Sequence, residues 1–286
     1  MAAPRSLLVT GATGKQGGSL IAALPRGEFE IRALTRKPSG PAAQALARQG
    51  ITIVEGDLDD AASLRRALAG VWGIFAVQNT WEAGVEREEE QGHRVANLAR
   101  EAGVQHFVYS SVGSAHRDTG IPHFENKWRV EQTVRGLAFP SHVILRPVFF
   151  MENLVSPWFL NDGKLYSALG PETPLQMIAV RDIGVYAARA FTDAERLNRR
   201  EIDLAGDVAT MPEVERALSA GLGRPIEYVR IPMAEVRKNS EDFALMLEWF
   251  ERVGYEADIA GLEREFGTRS TKLREWAALQ RDVVPA

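Results

Sequence analysis

The 286-residue chain contains no cysteine. Disulfides, thiolate nucleophiles, iron–sulfur clusters and cysteine-ligated zinc are therefore excluded. No stretch approaches the roughly 20 uncharged apolar residues that a membrane span requires. The N-terminus, MAAPRSLLVT, lacks the apolar core of a signal peptide, so the cytoplasm is the expected compartment. Positive charge is in short supply as well. The 34 Lys and Arg are outnumbered by 38 Asp and Glu, for a net charge of −4, and they are dispersed along the chain. Nothing here attracts a nucleic-acid backbone, and no direct nucleic-acid partner is expected. The five histidines, at 93, 106, 116, 123 and 142, form no HExxH or comparable ligand pair on one helix face, so no metal site is expected. No GxSxG nucleophile motif occurs.

What is present is ordinary globular composition, 45% hydrophobic and 25% charged, on a chain long enough for one large α/β domain with a smaller appendage. Ser6–Thr10 is a short apolar run that ends in GATGKQGGSLIAAL, where helix-like spacing begins. This pattern predicts strand, tight glycine turn and helix. It repeats, with strands expected at 30–34, 52–55, 73–77 and 106–110, and helices at 42–49, 61–69 and 85–102. Buried strands alternating with helices predict a doubly wound parallel sheet covered on both faces. Beyond about residue 120 the pattern loosens, with further strands expected at 143–145 and 201–205 and a helix at 182–190. The expected division is a nucleotide-binding domain over 1–150 and a smaller α+β substrate-side lobe over 151–286, from which about 178–206 return to the first core. The lobe is expected to lie over the carboxyl edge of the sheet.

Gly11, Gly14 and Gly17 form a GxxGxxG array directly after the first strand. Glycine suits this place because the turn is tight, a pyrophosphate can approach bare backbone, and the helix N-terminus offers free N–H groups. The second strand ends in Ala33-Leu34-Thr35-Arg36-Lys37, with no acidic residue to accept from a ribose 2′-hydroxyl. A guanidinium at Arg36 forks onto a 2′-phosphate, with Lys37 and Lys15 adding charge, which points to NADP(H) over NAD(H); otherwise this is a solvated basic turn. Asp57, after the third strand, either accepts from the adenine amino group or caps a helix.

With these residues placed, the chain resembles the NmrA-like family of atypical short-chain dehydrogenases, and within it the branch that contains an NADPH sensor. The resemblance runs nearly end to end. It rests on GATGKQGG, ALTRKP, GDLDD, the Asn79-Thr80-Trp81-Glu82 loop, FVYSSV, the His123-to-Lys127 segment HFENK and LRPVFFMENL at 145–154. It implies a Rossmann-type α/β fold with a smaller C-terminal α+β lobe and NADP(H) as cofactor. Carried over by motif, Gly11, Thr13, Gly14, Lys15, Gln16, Gly17, Arg36, Asp57, Leu58, Gln78, Asn79, Lys127, Phe150, Glu152 and Asn153 line that cofactor. Some relatives carry a lysine in the helix after the Trp81 loop; this chain has Glu88-Glu89-Glu90, and the contact is not transferred.

Active members of the wider superfamily use Tyr-x-x-x-Lys, since four residues bring both side chains onto one helix face. Here Lys127 is kept and His123 stands in the tyrosine position, a replacement shared with NmrA-like relatives. Reduction of a ketone produces an alkoxide that needs an acid close by, whereas reduction of a quinone leaves a stabilised phenolate. The replacement therefore favours quinone-like acceptors, or a sensor without catalysis. Ser110 and Ser111 end the fifth strand, where the superfamily places a substrate-orienting hydroxyl; their other reading is turn or cap. Trp81, Phe149, Phe150, Met151, Trp158 and Phe159 either wall a pocket for a flat aromatic ligand or are simply core. The run Glu86-Arg87-Glu88-Glu89-Glu90 reads as a solvated helix face. The expected function is an NADPH-dependent oxidoreductase for an aromatic quinone or conjugated carbonyl. The resemblance adds the role of supplying hydroquinone to a partner hydroxylase. The alternative is an NADP(H)-binding redox sensor acting through a protein partner, and the expected assembly is a monomer or homodimer.

Overall fold

A computed structural model describes residues 4–281 and 283. Along the chain run β1 (Arg5–Val9), α1 (Lys15–Ala23), β2 (Phe29–Thr35), α2 (Pro41–Arg48), β3 (Thr52–Glu55), α3 (Ala61–Leu68) and β4 (Gly73–Ala76). Next come α4 (Thr80–Ala83), α5 (Val85–Glu101), β5 (His106–Ser110), α6 (Pro122–Gly136) and β6 (Ser141–Pro147). The remainder comprises β7 (Phe149–Phe150), β8 (Leu160–Asn161), β9 (Lys164–Ser167), β10 (Leu175–Ile178), α7 (Val180–Thr192), β11 (Arg200–Leu204), β12 (Asp207–Ala209), α8 (Met211–Leu222), β13 (Glu227–Arg230), α9 (Met233–Asn239), α10 (Glu241–Arg252), α11 (Ile259–Phe266) and α12 (Leu273–Ala278). None of the helices described is long and apolar enough to cross a membrane.

The chain divides into two compact units. The first takes residues up to His116, His123–Arg146 and Ile183–Ile202; the second takes Arg117–Pro122, Pro147–Asp182 and the chain from Asp203 onward. The excursion of 117–122 into the second unit is marked by no shift in composition. Seven strands form one sheet in the order β11-β6-β5-β4-β1-β2-β3. The pairs β1/β2, β1/β4, β2/β3, β4/β5 and β5/β6 are all parallel. The strand order reverses between β1 and β4, which is where a doubly wound sheet opens a crevice at its carboxyl ends. Strands β1, β4, β5 and β6 are buried almost throughout, as expected of a sheet covered on both faces. On one side Leu8, Ile74, Phe107 and Ile144 from the sheet pack with Val95 and Ala99 of α5 and Val130 and Val134 of α6.

Helices α5 and α6 approach closely because α5 carries glycine at the contact. A Cβ on Gly92 would lie 2.6 Å from Val130 Cγ2. Val130 is β-branched and cannot swing away cheaply. This contact lies one turn from Glu88 on α5 and one turn from Lys127 on α6. The second unit holds two small sheets, β12-β10-β7 and β13-β9-β8, and an aromatic core in which the Phe149 ring meets those of Phe159 and Phe250 edge-on at 5.5 and 6.4 Å.

Replacing Gly92 by Val is expected to overpack the α5–α6 contact and cost about 1–3 kcal/mol, read as a lower midpoint in chemical denaturation. An unchanged midpoint would contradict the tight contact.

Candidate functional site in the first unit

The glycine loop follows β1. Gly11 has φ +58, and a Cβ there would fall 2.8 Å from Val77 Cγ1; a Cβ on Gly17 would fall 2.4 Å from the Gly11 carbonyl oxygen. Both positions therefore require glycine, one for backbone conformation and one for the close seating of α1 under the loop. Helix α1 starts at Gly14 with no side-chain cap, so its first N–H groups face outward with the exposed backbone of Gly11, Thr13, Gly14 and Lys15. Such a terminus favours an anion. The loop is braced from beneath. The Thr10 hydroxyl donates to the Val77 carbonyl at 3.0 Å and accepts from the Val77 N–H at 2.8 Å, stitching β1 to β4 where the strand order reverses.

The other strand ends carry the remaining expected residues. After β4, Gln78 is only 6% exposed, yet neither its Oε1 nor its Nε2 has a hydrogen-bond partner among the described residues. After β5, the buried Ser111 hydroxyl is in the same condition. Buried polar groups are almost always satisfied, so the two at adjacent carboxyl ends have capacity left for a polar ligand or water. Ser110 is not such a group: its hydroxyl donates to Gln16 Oε1 at 2.6 Å and ties the loop to β5. Of the Ser110–Ser111 pair, only the Ser111 hydroxyl is therefore without a protein partner among the described residues. Asn79 caps α4, accepting from the Trp81 N–H. The Asp57 carboxylate accepts from the Asp59 N–H, and the cap of α3 is Asp60. The Leu58 carbonyl accepts from Arg94. Arg36 is exposed at the end of β2 and ion-paired with Glu82 of α4.

Lys127 and His123 lie one turn apart on α6, as the superfamily's spacing requires. The Trp81 ring, 62% exposed, sits 5.4 Å from the His123 ring between centroids. Lys127 meets Glu88 of α5 at 2.5 Å. Glu88 is 2% exposed, which corrects the reading of its acidic run as wholly solvated; Glu86, Arg87 and Glu90 do face solvent. Its carboxylate also accepts from the Thr80 hydroxyl and from Asn126 Nδ2. Burial pushes the Glu88 pKa up, but the Lys127 charge and the hydrogen bonds from Lys127, Thr80 and Asn126 outweigh it and hold the group below its ordinary value. Glu88, the carboxylate that holds Lys127, is the candidate-site residue that its sequence context concealed. Its signal was the spacing 88, 92, 95, 99, which puts it on the buried stripe of α5.

The remaining expected residues belong to the second unit. The Glu152 carboxylate accepts from the Val180 N–H at the start of α7 and from Trp276 Nε1–H at 3.0 Å, so it is a helix cap. Phe149, Met151 and Phe159 are buried in that unit's core, whereas Trp158 is 81% exposed. Phe149, Met151 and Phe159 thus take part in the small unit's own packing, the second of the two readings its sequence allowed. Phe150 and Asn153 are half-buried.

These features define a doubly wound α/β protein whose glycine loop, basic strand end and lysine-bearing helix gather at the carboxyl ends of one sheet. The chain belongs to the NmrA-like family, whose model it matches over residues 4–281. An NAD(P)H azoreductase of Xenophilus azovorans is 29% identical over 238 residues, covering 81% of this chain and 79% of its own. An NADPH-dependent quinone oxidoreductase of Escherichia coli, solved with NADPH, is 26% identical with a TM-score of 0.80, covering 96% of this chain and 99% of its own. The negative transcriptional regulator NmrA, solved with NADP, shares the fold at 22% identity and a TM-score of 0.78, covering 99% of this chain and 96% of its own.

Replacing Glu88 by Ala leaves Lys127 without its counter-charge and is expected to cost about 3–5 kcal/mol at neutral pH. Because the folded pKa of Glu88 is depressed, its contribution is present above the ordinary value of 4.5 and is lost as pH falls through the folded value. Denaturation curves of wild type and variant should converge toward acid pH. A gap that stays constant with pH would contradict the ion pair.

Proposed function

We propose that the protein is an NADP(H)-dependent reductase that delivers hydride to a hydrophobic acceptor of the quinone class. The observation that carries this reading is the set of groups at strand ends of one unit: a loop that requires glycine at positions 11 and 17, Arg36, the unpartnered amide of Gln78 and the anchored Lys127. These residues fit a phosphorylated dinucleotide. The glycine loop and the start of α1 would take the pyrophosphate, Arg36 the 2′-phosphate, and Gln78 and Lys127 the polar groups nearer the reacting ring. When bound, NADPH supplies the hydride. Ser111 would orient the acceptor's oxygen, and His123, or water beside it, would supply the proton.

Acceptor class follows from the proton requirement. Helix α6 carries no tyrosine, so the phenol that would protonate a developing alkoxide is missing from that face. A quinone leaves a phenolate, whose protonation is far less demanding, and imidazole or water suffices. The azoreductase and quinone oxidoreductase relatives support this direction, since both names describe conjugated acceptors. A second reading, an NADP(H) sensor without turnover, is favoured by the same face of the site: Trp81 lies over His123, and Lys127 is already engaged by Glu88.

The test is anaerobic NADPH oxidation against naphthoquinones, azo dyes and simple ketones. Quinones or azo dyes should turn over and ketones should not, and Lys127→Ala should lower kcat/KM by about a hundredfold. Equal turnover of ketones would contradict the acceptor class. NADPH binding with no turnover of any acceptor would establish the sensor instead.

A further inference from the structure

Three consecutive side chains of the four-residue helix α4 reach three parts of this site. Thr80 donates to the Glu88 carboxylate that holds Lys127, Trp81 lies over His123, and Glu82 is ion-paired with Arg36. Arg36 is the guanidinium to which the proposed function assigns the 2′-phosphate. The protein's own carboxylate therefore already occupies the group intended for a ligand oxyanion. A dianionic phosphate brought onto Arg36 would meet the negative charge of Glu82 at close range, and like charges at such separation repel.

The energetics allow exchange. Arg36 and Glu82 are each 55% exposed, and a pair this open to water contributes little. A phosphate making charge-assisted, forked hydrogen bonds to the same guanidinium outbids it. A 2′-hydroxyl carries no charge and has no means of displacing a carboxylate. The helix is also built to move at one end. Thr80 is buried and fastened to Glu88, whereas Trp81 and Glu82 are exposed. At the far end Gly84, with φ +85 and open space around its Cβ position, joins α4 to α5.

We propose that Glu82 is a built-in competitor for Arg36 which determines nucleotide selectivity, and that its displacement by a 2′-phosphate shifts Trp81 relative to His123. Occupancy at the adenosine end is thereby communicated through α4 to the end of the site where Lys127 and His123 stand. This inference rests on the NADP(H) reading above and adds a selectivity residue and a route of communication to it.

Calorimetric titration of NADP+ and NAD+ into the purified chain tests the first part. Glu82→Gln should bind NADP+ about two- to fivefold more tightly than wild type, with NAD+ affinity about unchanged. Glu82→Ala should act in the same direction, which guards against an amide that re-forms the contact. The second part is read from the Trp81 contribution to fluorescence, taken as wild type minus Trp81→Phe. NADP+ should change it and NAD+ should not, and in Glu82→Gln it should already resemble the NADP+-bound signal. Unchanged or weaker NADP+ binding in both Glu82 variants would overturn the competitor role. A Trp81 signal indifferent to NADP+ would overturn the communication. Arg36→Gln separates these failures from failure of the underlying reading: if wild type does not prefer NADP+ and Arg36→Gln changes neither affinity, the 2′-phosphate assignment falls, and the inference with it.

Discussion

A carboxylate with almost no access to water is the constraint on which the site depends. Glu88 is stable as an anion only because an ammonium, a hydroxyl and an amide converge on it, since the desolvation of a buried charge is recovered only through close and complete pairing. Those partners come from α4 and α6, while Glu88 itself belongs to α5, so three helices are brought into register by one group. The approach of α5 to α6 that this requires is possible because position 92 has no side chain. Lys127 is thus stationed by the fold before any ligand arrives, with His123 one turn away. Preorganisation of this kind is what positioning residues contribute to catalysis.

The opposite side of the site obeys a steric constraint. Strand order reverses between β1 and β4, the Thr10 hydroxyl holds the two strands together there, and the glycines of the loop leave backbone exposed. The Ser110–Gln16 hydrogen bond fastens that loop to β5. The loop is rigidly seated and open at once, whereas the Gln78 amide and Ser111 hydroxyl are buried and unsatisfied. Buried polar groups are seldom left unpaired, and two such side chains at neighbouring strand ends suit a polar ligand there.

Much of this was legible in the amino-acid order, because the α/β core depends on local signals. The apolar run before GATGKQGG, the basic residue ending β2 and the four-residue spacing from His123 to Lys127 are each readable without tertiary information. What escaped was decided by packing. Within Glu86 to Glu90, composition is uniform, and only the helical phase relative to Gly92, Val95 and Ala99 separates the buried Glu88 from its solvated neighbours. Ser110 and Ser111 are chemically identical, and the sheet alternately assigns one to Gln16 and leaves the other free. Phe149, Met151 and Phe159 could be read as ligand wall or as core, because apolar clusters look alike in sequence whether they enclose a ligand or one another. Glu152 lies 124 residues from its partner Trp276, a separation at which sequence gives no guidance.

Taken together, an anchored lysine, an open glycine loop and a guanidinium at the β2 end suit the proposed reading, in which a phosphorylated dinucleotide is held by these groups and imidazole or water supplies the proton. The measurement that tests this most directly is a single turnover of naphthoquinone with NADPH deuterated at the transferred position. Direct hydride transfer within the site should slow the deuterated reaction and form one NADP+ for each hydroquinone. NADPH that binds but is not oxidised by any acceptor would contradict the reductase account.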